Sequence, residues 1–298
     1  MGAVTVIIPT LNRKALLLEA LESAFAQTYR DYDILVIDDG STDGTHDALS
    51  SYGDRLRYVR KNNGGEASAR NRGILEAGTA YIAFLDSDDL WDPTFLETTI
   101  THLEKNPTLG LVSTGCVFFP DEKRRPRIRK RLLQGDLFPL LFYRNFITAS
   151  AVVVKSDCFR QVGLFNESLE LGVDYDMWLR IAKAYPIAFL NRSLCRWRRH
   201  DGNISATELR HRQCVLQVVS AHFDSARIPE TTYRHRRSRL LASMGRAHVT
   251  LGNIEQAKSC FSEAVALTPW APRIWQDLCK IVLLEKCRSL WDWRAGHR

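Results

Sequence analysis

No apolar stretch in this 298-residue chain approaches the ~18 to 20 residues of a bilayer-crossing helix, so nothing in it reads as a transmembrane span. The start reads as a first strand, VTVII, rather than as a secretory leader. Val6 stands where a myristoylation signal wants Ser or Thr. No two of the seven cysteines form a C-x-x-C pair, and an odd number fits reduced thiols acting as small buried hydrophobes. After the first strand comes PTLNR, without the G-x-G-x-x-G that brings backbone up to a dinucleotide pyrophosphate, and there is no G-x-x-x-x-G-K-[ST] loop either. A nucleotide bound here must have its phosphates neutralised in another way. The basic stretches lack interleaved aromatics and a recognisable reading helix, which argues against a nucleic-acid partner.

What is present is ordinary globular composition, 45% hydrophobic and 25% charged. The net charge of +7 is clumped: KRRPRIRKR at 123 to 131 carries seven basic residues in nine, with RWRRH and RHRRSR further on. Such runs suit an anionic partner such as phospholipid or a diphosphate; a solvated loop is the alternative for residues 123 to 131.

Along the chain, VTVII, YDILVIDDG, LRYVRK and YIAFLDSDD read as strands, each separated from the next by a loop and a helix or a turn. Strand, loop and helix in repetition predict parallel pairing with right-handed crossovers, and continuous apolar runs predict a sheet covered on both faces. Further strands are expected at 149 to 154 and 187 to 190, with helices at 156 to 161 and 175 to 184. Ligands of open α/β sheets sit beyond the carboxyl ends of the strands, so Asp38, Asp39, Asp86 and Asp88 should converge on one crevice. Crowded carboxylates repel unless a cation compensates them, and hard cations such as Mn2+ or Mg2+ prefer oxygen ligands. Asp38 reads equally as a turn cap or a ligand residue, and Asp89 as a cap or turn residue before the next helix.

Six segments in register, VIIPTLNR, AFAQTYRDYDILVIDDGSTDGT, GGEASARNRGI, FLDSDD, VGLFNESL and VDYDMWLRIAK, resemble the inverting family 2 glycosyltransferases of GT-A fold over roughly residues 3 to 205. The resemblance implies an α/β fold, a Rossmann-like and mostly parallel sheet flanked by helices. It implies transfer of a sugar from a nucleoside diphosphate, usually UDP, to an acceptor, with Mn2+ or Mg2+ as cofactor. It places Pro9, Thr10 and Asn12 around the nucleoside, Asp39 on uracil N3–H, Arg70 on the nucleotide and Asp86 near the ribose or sugar. Asp88 becomes the metal ligand, with His200 completing the metal or diphosphate site. Asp174 matches the family's base and Trp178, at i+4, an acceptor platform. Where the family has Glu before that Asp, this chain has Val173; Glu170 is a candidate substitute, and Asp176 should lie off the same helical face. The resemblance divides residues 1–205 into a nucleotide-sugar half (1–115) and an acceptor-side half (116–205).

From residue 206 to 298 the composition turns helical, and residues 238 to 271 match a single tetratricopeptide-like repeat through Gly245, Ala257, Phe261 and Ala264. The last helix, ending in two tryptophans and basic residues, either continues a repeat stack or lies on a membrane surface. The expected setting is cytoplasmic, with a peripheral station at the inner membrane face left open, in building a surface glycan or polysaccharide on a glycan or lipid-linked acceptor. The competing function is a catalytically silent GT-A domain that acts as a scaffold through its helical tail.

Overall fold

A computed structural model describes residues 2–119, 132–198 and 208–295. The described residues fall into two compact units, one up to residue 203 and one from 204 onward.

In the first unit the VTVII run becomes β1 (Val4–Thr10), buried along nearly its whole length because it lies between two other strands. β2 (Tyr32–Asp38) and β4 (Tyr81–Phe84) flank it in parallel, and β3 (Arg57–Arg60) pairs with β2 in parallel. The predicted parallel quartet is thus present. Beyond β4 the sheet changes character. β8 (Val152–Lys155) runs antiparallel to β4 and to β6 (Leu111–Phe119), and β6 runs parallel to β9 (Ile187–Arg198). β5 (Leu90–Trp91) and β7 (Leu133–Gly135) both pair with β9, completing nine strands among the described residues in the order β3-β2-β1-β4-β8-β6-β9-β5, with β7 on β9. The mixed sheet with helices on it bears out the expected α/β class.

The helices bury narrow apolar faces. α1 (Lys14–Phe25) turns Leu17, Ala20, Leu21 and Ala24 inward, a helical i, i+3, i+4, i+7 stripe. α3 (Gly65–Ala77) lies so close to β1 that a Cβ at Gly73 would sit 2.5 Å from Ile7 Cγ2, and this close approach is what requires glycine. The unit also holds α2 (Thr45–Ser50), α4 (Phe95–Lys105), α5 (Phe138–Tyr143), α6 (Ser156–Val162) and α7 (Val173–Ala184). Between β1 and α1, Asn12 is the non-glycine residue with a left-handed backbone, φ 50°.

Pairing between β1 and β4 stops at a definite place. Leu85 N–H donates to Ile7 O at 3.1 Å, and the next rung would need an N–H on residue 9. Pro9 has none. The strands part there, at the point where β1 connects leftward to β2 while β4 lies on its other side, which is where open α/β sheets form their ligand crevice. The expected strand YIAFLDSDD therefore ends at Phe84, and residues 85 to 89 form a loop over that edge.

The second unit comprises α8 (Glu208–Ala221), α9 (Glu230–Thr250), α10 (Ile254–Leu267) and α11 (Pro272–Ala295). α9 and α10 run antiparallel, Arg237 pairing with Glu263 and Ser238 Oγ donating to Ala264 O. A Cβ on Gly245 would meet the Phe261 ring at 2.9 Å, so a small residue is needed at this crossing. Among the described residues no helix is long and apolar enough to cross a membrane.

Candidate active site

Backbone bonds carry the strand ends to one edge: Asp39 N–H donates to Thr10 O (2.9 Å) and Lys61 N–H to Asp38 O (2.9 Å). Around this edge each carboxylate has acquired its own partner. Asp39, 3% exposed, accepts from Lys61 Nζ (2.6 Å), Gly64 N–H (3.0 Å) and Gly65 N–H (2.8 Å). Asp38 accepts from Gly40 N–H, Ser41 N–H (2.7 Å) and the Tyr58 hydroxyl (2.5 Å). Burial alone would raise its pKa, but these donors outweigh burial and hold Asp38 below its usual range, while Tyr58 is raised. Asp38 is therefore the turn cap of the two alternatives. Asn12 Oδ1 accepts from Thr42 N–H (2.8 Å) and Asn12 N–H donates to Ser41 Oγ (3.0 Å), so its side chain ties the first loop to the second. Pro9 and Thr10 close β1 beside it, and Thr10 Oγ1 is buried with no hydrogen-bond partner.

The FLDSDD loop is bolted from below. Ser150 receives Asp86 N–H (3.1 Å) on its hydroxyl, which donates to Asp89 Oδ2 (2.6 Å), and Trp91 Nε1–H donates to Ser150 O (2.6 Å). Asp89 also accepts from Arg198 N–H (3.0 Å) and is raised well above the carboxylate range, by burial first and then by negative Asp86 and Asp88. Of the two readings the turn residue holds and the helix cap does not: Asp89 N–H donates to Asp86 O (3.0 Å), its side chain joins the loop to β9, and Asp92 Oδ1 accepts from Thr94 N–H (3.0 Å) at the start of α4. Asp88, 6% exposed, pairs with Arg13 at 2.7 Å.

Asp86 pairs with Arg70 NH2 at 2.5 Å. Arg70 is fully buried, its guanidinium 5.6 Å from the Phe165 ring centre, and on its other side it makes an ion pair with Glu66. The Glu66 approach is a charge contact without hydrogen-bond alignment, since Arg70 NH1 and Nε both lack a hydrogen-bond partner. Phe165 is held under Arg70 by Asn71, whose Oδ1 accepts from Phe165 N–H (2.8 Å) and whose Nδ2 donates to Phe165 O (3.0 Å).

Asp174 sits in the first turn of α7, which starts after Gly172 in a left-handed conformation, φ 76°. Its side chain accepts from Tyr175 N–H (2.7 Å). Burial, then negative Glu66, raises its pKa to about 6 against the pull of Arg70. The acidic neighbour acting most strongly on Asp174 is thus Glu66 and not Glu170. Asp176 is committed to Arg180, at 3.0 and 2.8 Å.

Trp178 corrects a second expectation. It is 0% exposed and packs against Phe84 and Phe165, with ring centres 6.2 and 6.0 Å away, so it offers no platform to an acceptor. Asp174 lies in the first turn of α7, and one turn deeper the same face has entered the core. Trp178→Ala should cost about 3–5 kcal/mol of unfolding free energy in denaturant titration, the range for an emptied aromatic core site.

His200 and the basic run at 123 to 131 lie outside the described residues. Among the described residues no group of three or more His, Cys, Asp or Glu side chains is placed to hold a metal ion. The site therefore fits a hard cation only in a restricted sense: Asp88, which already attracts the positive Arg13, would supply a carboxylate, and diphosphate oxygens and water the remaining ligands. The sequence reading missed Arg13, Lys61, Glu66 and Asn71, because each acts on a partner brought close only by the fold.

Residues 5–162 match the family model described as glycosyl transferase family 2. An uncharacterized glycosyltransferase of Rickettsia typhi is 35% identical over 214 residues, 69% of this chain and 67% of that protein. The chondroitin synthase of Pasteurella multocida is 30% identical over 239 residues, 77% of this chain but 24% of the synthase. Among solved structures, Staphylococcus aureus TarS 1–349 in complex with UDP-GlcNAc superposes with a TM-score of 0.67 at 16% identity, covering 92% of this chain and 83% of that one. A mannosyltransferase from Pyrobaculum calidifontis in complex with GDP-Man and Mn2+ gives 0.63 at 21%, covering 98% and 88%. The two structures share the GT-A fold with this chain, and the family match gives it its chemistry: the chain is a glycosyltransferase and belongs to glycosyl transferase family 2.

Proposed function

We propose that the chain transfers a sugar from a UDP-sugar to an acceptor hydroxyl with inversion, using a divalent cation at Asp88. The observation that carries this reading is the set of carboxylates at neighbouring strand ends, each already holding one cationic side chain: Lys61 on Asp39, Arg13 on Asp88 and Arg70 on Asp86. An edge built this way suits a ligand that brings both a polar base and a diphosphate. Mn2+ or Mg2+, when bound, neutralises charge on the leaving diphosphate. His200, on the family resemblance, is a candidate for one of the positions otherwise left to diphosphate oxygens and water. The Mn2+ of the Pyrobaculum mannosyltransferase complex supports use of a divalent cation.

The nucleobase reading rests on a count of acceptor positions. A carboxylate offers about four lone-pair sites. Lys61, Gly64 and Gly65 use three of those on Asp39, leaving one. Uracil brings a single N3–H; guanine would bring two adjacent donors. UDP is therefore favoured, and the UDP-GlcNAc complex of TarS supports that choice.

In the transfer step the acceptor O–H breaks and its proton passes to the Asp174 carboxylate. The acceptor oxygen bonds to the anomeric carbon from one face as the bond to phosphate breaks on the other, its electron pair leaving with the nucleoside diphosphate. Asp174 is suited to this by a pKa near the working pH. Arg70 stays protonated between Asp86 and Glu66 and fixes the loop that faces the donor.

The similarity to the chondroitin and hyaluronan synthases of Pasteurella supports a role in building a surface polysaccharide. The helical unit is assigned to contact with a protein, a glycan or the membrane periphery, through a tetratricopeptide-like pair formed by α9 and α10. The test is release of UDP from a panel of UDP-sugars, with GDP-mannose as the contrast, in Mn2+. Turnover of at least one UDP-sugar and none of GDP-mannose is expected; the reverse preference would overturn the nucleotide assignment.

A further inference from the structure

Glu66 is exposed, with 39% of its side chain open to solvent, and it stands in the first turn of α3, 108 residues before Asp174. An ordinary i,i+4 pair with Arg70 would make it a weak surface contact. Its partner, however, is not on the surface. Arg70 has no exposure at all, and three carboxylates from three elements act on its one positive charge: Glu66 of α3, Asp86 of the loop after β4, and Asp174 of α7. Asp86 and Glu66 hold the two terminal nitrogens. Asp174 is left with the N–H of its own neighbour Tyr175.

One cation cannot satisfy three anions, and the geometry decides which of them goes short. We propose that Glu66 is a positioning residue for the transfer step: by holding Arg70 on the α3 side it keeps the Asp174 carboxylate out of an ion pair and open to the acceptor's proton. Without Glu66, the NH1 group of Arg70 loses its counter-charge, and Asp174 is the remaining carboxylate that acts on Arg70 besides Asp86. Both changes, removal of a like charge and release of an opposite one, favour the ionised form of Asp174 and make it a weaker base. The charged groups facing Asp174 most strongly are Glu66 and Arg70 of α3 and Asp86 of the loop, and Glu66→Gln alters one of them while keeping its shape.

This inference rests on the reading of Asp174 as base, and the test separates the two. Side-chain carboxyl titration by carbon-13 NMR on the full chain, with Asp174→Asn used to assign the signal, reads Asp174 directly and needs no substrate. The wild-type midpoint is expected near 6, and in Glu66→Gln it should fall by about one pH unit, with Glu66→Asp restoring most of the difference. UDP affinity, measured by calorimetry on the same proteins, should stay within about twofold, as expected of a residue acting on the base and not on the donor. An Asp174 midpoint unmoved in Glu66→Gln, or a UDP affinity that falls tenfold with it, would overturn the proposal. Wild-type UDP release from a UDP-sugar by Asp174→Asn would instead remove the base assignment, whatever Glu66 does.

Discussion

Asp174→Asn is expected to lose about 10²- to 10⁴-fold in transfer rate while keeping wild-type affinity for UDP, the loss associated with removing a positioned general base. The split is diagnostic, because Asp174 stands on α7 and the proposed nucleotide residues stand on α3 and at the ends of β1, β2 and β4. A second readout needs no substrate. Asp174 has its folded pKa raised to about 6 from an ordinary 3.8, so its favourable contribution to stability is present below about pH 4 and is lost as pH rises through 6. At pH 8 the ionised side chain costs the fold about 1–2 kcal/mol, after allowance for its partial exposure. The inactive Asp174→Asn protein should therefore be the more stable of the two in thermal unfolding at pH 8, with the difference vanishing near pH 4. A variant that is inactive and less stable at pH 8 would mean that Asp174 supports the fold instead.

Asp88→Ala is expected to abolish the Mn2+-dependent part of UDP binding, a loss of about 100-fold or roughly 3 kcal/mol. The direction without metal is the more telling half of this prediction. Asp88 holds Arg13 at 2.7 Å. Removing the carboxylate takes away a negative charge that repels the diphosphate, so in chelator the variant should bind UDP as well as the wild type or better. Equal loss in Mn2+ and in chelator would show that Asp88 merely holds the loop in place.

Much of this arrangement is legible in the residues. The four parallel strands follow from continuous β-branched runs, and the position of Asp38, Asp39, Asp86 and Asp88 at one edge follows from strand direction alone. What escapes is whatever depends on a partner far along the chain. Nothing local says that β4 stops at Phe84; the reason is a missing N–H on Pro9, in the strand beside it. β9 reads as ending at Leu190 because NRS follows, yet it continues to Arg198 through register shifts against Thr114, Gly115 and Cys116. Helical spacing puts Asp174 and Trp178 on one face, and it carries no information on the depth at which that face enters the core. Glu66 resembles any exposed acid of a first helical turn until the fold sets it against Arg70 and Asp174. The missing Glu before Asp174 weakens the case for an enzyme in the sequence alone; the fold supplies an acid to Asp174 from another helix.

The most direct measurement is calorimetric titration of the folded 298-residue chain with UDP, once in Mn2+ and once in chelator. Micromolar uptake that falls by an order of magnitude or more when the metal is removed is the predicted result. No heat of binding in Mn2+, or the same affinity in both buffers, would contradict the claim that these acidic strand ends hold a cation against a nucleotide's diphosphate.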